Sequence, residues 1–437
     1  MRRPVVPVVI AMLALAFVSA RAEPIAARLP TFGESPLPLA EAPTALTLAS
    51  AWQQALNGNP DLAAARSEIA ASEGARIQAG AFPNPTLDVG LEDQRTKTRT
   101  TTVLLSQPIE LGGKRAARIE SAERGIDVAR TQLDAKRLDI QANVTAAFFA
   151  ALVAQERVSL AKASLDIARR GAEVAGKRVA AGKVSPVEET KAKVAQSSAG
   201  LELAQAQGDL RTSLAQLRAA IGSGPAIERV DGNAVQTPRL PSPAEVAARL
   251  DDAPAVREAR LEVRRLEALS DLERAKRIPD LTVTVGATRP NEIARNQAVL
   301  GVSIPLPIFD TNRGNIQEAM RRQDKAEDLA KATELRVRTE ASVALQRMET
   351  ALSLVGTLQD EILPGAQLAL DAATKGFELG KFNYLDALDA QRTLLEARSQ
   401  YLNALAEAHK SSADLQRLLG PVGLSAAQSI PASQSLQ

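Results

Sequence analysis

The stretch Leu379-Gly-Lys-Phe-Asn-Tyr-Leu-Asp-Ala-Leu-Asp389 is flanked on both sides by long Ala- and Leu-rich sequence. Its Gly-Lys-Phe-Asn centre reads as the tip of a helical hairpin, because glycine permits the sharp backbone turn that helix interiors exclude. A twin, Ala181-Gly-Lys-Val-Ser-Pro-Val-Glu-Glu189, lies upstream. Gly182 and Gly380 are 198 residues apart, and so are Gly222 and Gly420, which close the helices that follow. One offset held over tens of residues marks a tandem duplication.

The composition suits long packed helices better than a conventional globular core. Aromatic residues make up 3% of the 437, and aromatics normally supply much of a core's bulk. The helix-forming set dominates instead, so close packing through small side chains is expected. A net charge of +2 without a large block of either sign gives no nucleic-acid footprint. No cysteine and a single histidine, His409, exclude a disulfide scaffold, a thiolate metal site, a cysteine nucleophile and most histidine relays. No glycine-rich loop follows a strand and opens a helix in the phosphate-binding pattern, so a phosphate-binding enzyme is not supported either. The chain is read as a non-enzyme with no cofactor and no resident metal; His409 reads as a surface or interface residue.

Arg2-Arg3, an apolar run from Val5 to Val18 and Ala20-Arg-Ala22 have the form of a signal peptide over residues 1–22. No cysteine follows, so lipid attachment is not expected there. Residues 23–46 are Pro-rich and read as an extended lead segment. Repeat 1 is placed at 47–222, with strands at about 86–92 and 101–107, a long helix at about 114–181, a tip at 182–185 and a helix at 186–221. An irregular linker, 223–242, precedes repeat 2 at 243–420. Its strands fall at about 281–287 and 298–304, its long helix at about 314–379, its tip at 380–383 and its last helix at 384–419. The polar tail, 421–437, reads as disordered. The strands are called from period-two alternation: Leu87, Val89 and Leu91 on one face, with Thr86, Asp88, Gly90 and Glu92 on the other. Leu281, Val283 and Val285, then Ala298, Leu300 and Val302, repeat the pattern.

Four short strands have two free edges, and a membrane-crossing barrel must close, with about eight strands as the smallest size. An exported chain with too few amphipathic strands points to a shared barrel, and three copies would supply about twelve strands. The competing reading is a small antiparallel sheet capping a soluble helical rod, because the strands lack aromatic girdles. The fold expected is mainly α with a small β part: a trimeric 12-stranded β-barrel continued by an α-helical barrel.

The doubled layout resembles the TolC-like outer-membrane efflux family over residues 47–420. Phe82-Pro-Asn-Pro85, Gln107-Pro-Ile-Glu-Leu-Gly-Gly-Lys-Arg115, Ile304-Pro-Leu-Pro-Ile-Phe-Asp310 with Asn312-Arg313-Gly314, and Glu361-Ile-Leu-Pro364 are similar to the outer-membrane subunit of cobalt–zinc–cadmium resistance pumps. The resemblance implies a homotrimer in outer-membrane lipid, its helical barrel projecting into the periplasm. It further implies docking onto a periplasmic adaptor (membrane fusion) protein, which joins the channel to a proton-driven inner-membrane transporter of the resistance-nodulation-division type. The channel would passively conduct divalent heavy-metal cations to the exterior. The residues themselves also allow organic or protein cargo on the same fold. A periplasmic adaptor is a weaker rival, since adaptors carry one hairpin among several compact β-domains.

Asp386 and Asp389 are three residues apart just past the tip and share a helix face. The resemblance implies a channel gate there, in which a three-fold axis gathers their carboxylates into a cation-selective ring. Glu188 is the repeat-1 equivalent of Asp386. A local alternative is that acidic residues near a helix start serve the helix dipole. Gly182, Lys183, Val184 and Ser185, with Gly380, Lys381, Phe382 and Asn383, are the adaptor-docking tips that the resemblance implies; plain hairpin turns are the alternative. Pro364 removes a backbone donor within the second long helix, so a kink or break is expected there, as a static bend or as a hinge.

Overall fold

The computed structural model describes residues 45–420 apart from 223, 225, 234, 380 and 383, and apart from the side chains of 378, 384 and 385. The signal peptide, nearly all of the lead segment, the C-terminal tail, Gly380 and Asn383 lie outside the described residues.

Local chemistry sets the start of each repeat. Helix α1 (Leu48–Gly58) opens with a capping box, in which the Ser50 amide donates to Thr47 Oγ1 at 3.3 Å and the Thr47 amide donates to Ser50 Oγ at 3.1 Å. Asn59 caps α2 (Pro60–Ala79) by accepting the Asp61 amide at 2.9 Å, while Pro60 takes the first helical position. Its Nδ2 also donates to the carbonyls of Ala220 and Ile221, tying the start of repeat 1 to its end. Strands β1 (Thr86–Glu92) and β2 (Thr100–Ile109) follow, then α3 (Lys114–Ala180) and α4 (Pro186–Ile221). Repeat 2 runs through α5 (Pro243–Arg249), α6 (Pro254–Ala275), β3 (Leu281–Pro290), β4 (Gln297–Ser303), α7 (Arg313–Thr357), α8 (Leu363–Glu378) and α9 (Tyr384–Leu419). With 67 residues, α3 spans on the order of 100 Å.

The four strands form one antiparallel sheet in the order β1-β2-β3-β4, joining the two repeats through the β2–β3 ladder. The register explains the alternation. Leu87 sits opposite Leu105, Leu105 opposite Val285, and Val285 opposite Leu300. One row further along, Val89, Val103, Ala287 and Ala298 align in the same way. One face is thus largely apolar, with Thr101, Gln107 and Arg289 among its residues, and its apolar side chains are exposed. The other carries Thr86, Asp88, Thr102, Ser106, Thr282, Thr284 and Thr288. Hydroxyl pairs bridge strands on that face, Ser106 to Thr284 at 3.0 Å and Thr102 to Thr288 at 3.4 Å. Leu104 and Val299 are apolar exceptions on it, and Leu104 lies over Gly286, where a Cβ would come within 2.7 Å of Leu104 Cδ2 and overlap the Val103 carbonyl oxygen. Among the described residues nothing pairs with the outer edges of β1 and β4.

Ion pairs fix the strand-to-helix junction. Lys114 Nζ lies 2.7 Å from Asp280 Oδ1, and Arg118 is paired with Glu110 and donates to the carbonyls of Ala79 and Ala81. The Glu110 hydrogen bond holds the Arg118 guanidinium above its ordinary range.

The core repeats with the sequence. Leu62, Leu217 and Ile221 are buried in the repeat-1 cluster around Phe148, and their counterparts Val256, Leu415 and Leu419 are buried in the repeat-2 cluster around Met348. Truncating such a fully buried leucine to alanine costs about 2–5 kcal/mol. Alanine fills much of the remaining interface, as the scarcity of aromatics requires. One stretch of α3 is long and apolar enough to cross a membrane, but half of it is buried against the chain's own helices. His409 is only 6% exposed; its ring stacks on Phe149 of α3 at 3.4 Å and 7°. It therefore belongs to the interface between repeats, and the surface option does not hold.

Around Pro364 the helix neither breaks nor ends. A π-helical turn, Leu358–Ile362, joins α7 to α8, and the Leu363 amide reaches back to the Leu358 carbonyl. A π turn inserts one residue into the ladder, which absorbs the donor that proline lacks. The helix thus passes Pro364 without a break, through a local change of helix type.

Candidate functional site

At both tips an amide returns to the carbonyl five residues earlier, Lys183 to Arg178 and Lys381 to Gly376. At the first, Gly182 adopts φ +66°. The amides of Gly182 and Lys183 return to the carbonyls of Val179 and Arg178, both at 2.9 Å. This closes the end of α3 with a left-handed residue, which costs glycine little. Ser185 then caps α4 by accepting the Val187 amide at 3.3 Å, with Pro186 at the first position. Lys183 and Ser185 are exposed and Val184 is half-buried.

At the second tip the amides of Lys381 and Phe382 both return to the Gly376 carbonyl, at 2.8 and 3.2 Å. Phe382 is 49% exposed, and its ring covers Gly376 so closely that a Cβ there would fall inside it. The aromatic side chain is thus held against α8, with its outer half facing solvent. Val187 and Leu379 are further exposed apolar side chains beside the two turns.

The carboxylates follow immediately. Glu188 lies in the first turn of α4 and Asp386 in the first turn of α9, where the helix dipole favours negative charge. Asp386 and Asp389 are exposed; Glu188 is half-buried. The counterpart of Asp389 in repeat 1 is Lys191, and Glu189 beside it is paired with Lys193 at 2.6 Å. Repeat 1 balances its charges at this level, whereas repeat 2 places Ala387 and Leu388 between its two aspartates. Pro364 lies a full helix, α8, away from this tip.

Sequence reasoning missed the link between the hairpins. The Arg178 guanidinium donates to the Phe377 carbonyl at 2.8 Å and lies 4.1 Å from the Phe377 ring centroid. Phe377 is buried against Ala172, Ala175 and Ala192. Higher up, Gln391 donates to the Ser164 carbonyl at 3.5 Å. A cleft of about 680 Å³ remains between the hairpins, lined by Arg170, Val174, Leu370, Thr374, Asp371 and Gln391. No signal in the sequence connects positions 178 and 377; the contact comes from the packing of α3 against α9 and α8. Among the described residues no three histidine, aspartate or glutamate side chains group closely enough to hold a metal ion.

Two helical hairpins, a four-stranded sheet with a bare apolar face and a carboxylate-bearing tip describe one subunit of a channel. The family model for outer membrane efflux proteins matches twice, at residues 51–223 and 247–421. The chain belongs to the outer membrane efflux protein family, and it is an outer-membrane efflux channel subunit with its helical part in the periplasm. It is 46% identical over 381 residues to the cobalt-zinc-cadmium resistance protein CzcC of Cupriavidus metallidurans, covering 87% of this chain and 91% of that one. It is 31% identical over 330 residues to the nickel and cobalt resistance protein CnrC of the same organism, covering 74% and 76%. The crystal structure of CusC matches the fold with a TM-score of 0.73 at 19% identity, covering 85% of this chain and 92% of that one.

Proposed function

We propose that this chain forms a trimeric conduit for divalent heavy-metal cations, as the outer-membrane part of a tripartite pump. The 46% identity to a protein named for cobalt–zinc–cadmium resistance, held over nearly the whole length of both chains, carries the cargo assignment. Closure of the sheet supports the trimer: β1 and β4 offer free edges at opposite sides, and about twelve strands satisfy the closure that hydrocarbon demands. On a three-fold axis Asp386 and Asp389 of three chains form a ring of carboxylates, with Glu188 beside it. Such a ring concentrates cations and holds a multivalent ion transiently, long enough to block monovalent current through a single channel.

The tips meet the adaptor. Gly182 and Gly380 let a partner helix approach closely, and Phe382, with Val184, Lys183, Ser185, Lys381 and Asn383, forms the contact surface. The adaptor in turn couples the channel to a proton-driven transporter of the resistance-nodulation-division type in the inner membrane. Pro364 and the π turn before it are the flexible point of the second hairpin. The chain performs no chemistry; it is a passive path.

The test is growth of a host deleted for this chain on cobalt, zinc, cadmium, nickel, copper and silver, alongside detergents and dyes. Sensitivity confined to metals, restored by the intact gene, is the expected result. Sensitivity to organic compounds alone would keep the channel and overturn its cargo.

A further inference from the structure

The apolar face of the sheet does not end where the ladder ends. The last β3–β4 pair is Thr282 with Ser303, yet the every-other-residue apolar pattern of Leu300 and Val302 runs on through Ile304 and Leu306. Pro305 and Pro307 occupy the alternate positions. Neither has an N–H, so an extended segment there strands fewer donors against hydrocarbon than any other residue would. A tight turn, with the Ile308 amide 2.8 Å from the Leu306 carbonyl, then presents Ile308 and Phe309. Leu306, Ile308 and Phe309 are 73%, 71% and 99% exposed. Such a cluster on a soluble surface is unusual and marks a contact. At the same end of the sheet, on its other edge, Phe82 precedes β1 and is also exposed, with the Arg115 guanidinium 4.4 Å from its ring centroid. The strands themselves contain no aromatic residue, although membrane barrels carry aromatic girdles at both interfaces.

We propose that residues 304–309, together with Phe82, form the periplasmic-side girdle of the barrel and contact the phospholipids of the inner leaflet. The aromatic belt has moved out of the strands into the two loops that flank the sheet. Leu306 and Ile308 meet the acyl chains, Phe309 lies at headgroup level, and Arg115 beside Phe82 offers a cation near the phosphates. Continuity selects lipid as the occupant. The segment prolongs the face bearing Leu300 and Val302, whereas a second copy of this chain would join along the strand edges. The inference rests on the reading that the sheet closes into a membrane barrel.

Tryptophan quenching in vesicles separates the two. Trp52 is the chain's single tryptophan, so Trp52→Phe supplies a silent background into which Phe309→Trp, Leu306→Trp or Leu300→Trp is introduced. The full-length protein is reconstituted in phosphatidylcholine vesicles brominated either near the headgroup or near the chain ends. Tryptophan at 309 should be quenched about twofold more by shallow bromine than by deep, with 306 intermediate and 300 favouring deep bromine. Quenching at 300 but not at 309 or 306 would overturn the girdle while leaving the barrel intact. Absence of quenching at 300 as well would overturn the barrel, and the girdle with it.

Discussion

The two hairpins began as copies and have diverged in opposite directions. The first is built on α3, an unbroken helix packed against α1, α2, α4, α6 and α9. The second is built on α7 and α8, packed mainly on α6 and α9 and divided by a π turn. At the tips the contrast is chemical. Repeat 1 sets Glu188 and Glu189 beside Lys191 and Lys193, whereas repeat 2 sets Asp386 and Asp389 among apolar neighbours. Duplication supplied one architecture twice. One copy keeps the central, continuous helix, and the other carries the interruption, the aromatic tip and the two aspartates.

The largest expected effect tests the π turn as an inserted residue. Deleting Gln359 should convert Leu358–Ile362 to ordinary helix while leaving α8 nearly in register with α7, because the π turn holds one residue more than the α turn that replaces it. Pro364 would then meet the carbonyl four residues back inside a regular helix, at a cost of about 3 kcal/mol, and efflux should be lost although circular dichroism still reports helix. Normal efflux from the deletion would show that the second hairpin does not depend on its interruption.

Next come the carboxylates. Asp386→Asn with Asp389→Asn should weaken divalent-cation block of single channels about tenfold, a change of roughly 1.4 kcal/mol. Glu188→Gln should change it no more than about twofold, being one half-buried group with cations nearby. Equal effects from both repeats would remove the functional asymmetry.

Of intermediate size is the tip contact. Gly376→Ala should displace the Phe382 ring and weaken adaptor binding about fivefold to tenfold, near 1 kcal/mol. Val184→Ala, at the half-buried counterpart, should lower it by less than about twofold. Titration with purified adaptor reads both.

The smallest effect is expected from Pro364→Ala. The substitution restores a donor but leaves the extra residue in place, so the π turn persists and the melting temperature should move by only about 2 °C. Loss of metal resistance in this variant would mean that proline itself, rather than the inserted residue, sets the behaviour of the second hairpin.

Much of the fold was legible in the sequence because its signals are periodic. Leu87, Val89 and Leu91 alternate at the strand period, and glycine or proline marks the turns between long uninterrupted helical stretches. The register was not legible: nothing local states that Leu105 faces Val285 across the two repeats. Pro364 announced a disturbance, but whether a helix answers with a kink, a break or an inserted residue depends on what it packs against. The carboxylates and glycines of the tips were visible as residue types. The contacts that organise them were not, since Arg178 meets Phe377 and Phe149 meets His409 only through long-range helix packing. Gly376, which no sequence signal singles out, is the seat of the Phe382 ring.

The hydroxyl-bearing face of the sheet has a consequence for permeation. In a closed barrel whose apolar face meets lipid, the lumen is lined by threonine and serine oxygens with few charges. Such oxygens exchange hydrogen bonds with water readily and coordinate transition metals weakly. A divalent ion would therefore cross the outer membrane inside its own hydration shell, never stripped and never ligated. Discrimination between one metal and another must then be complete before the ion reaches the strands.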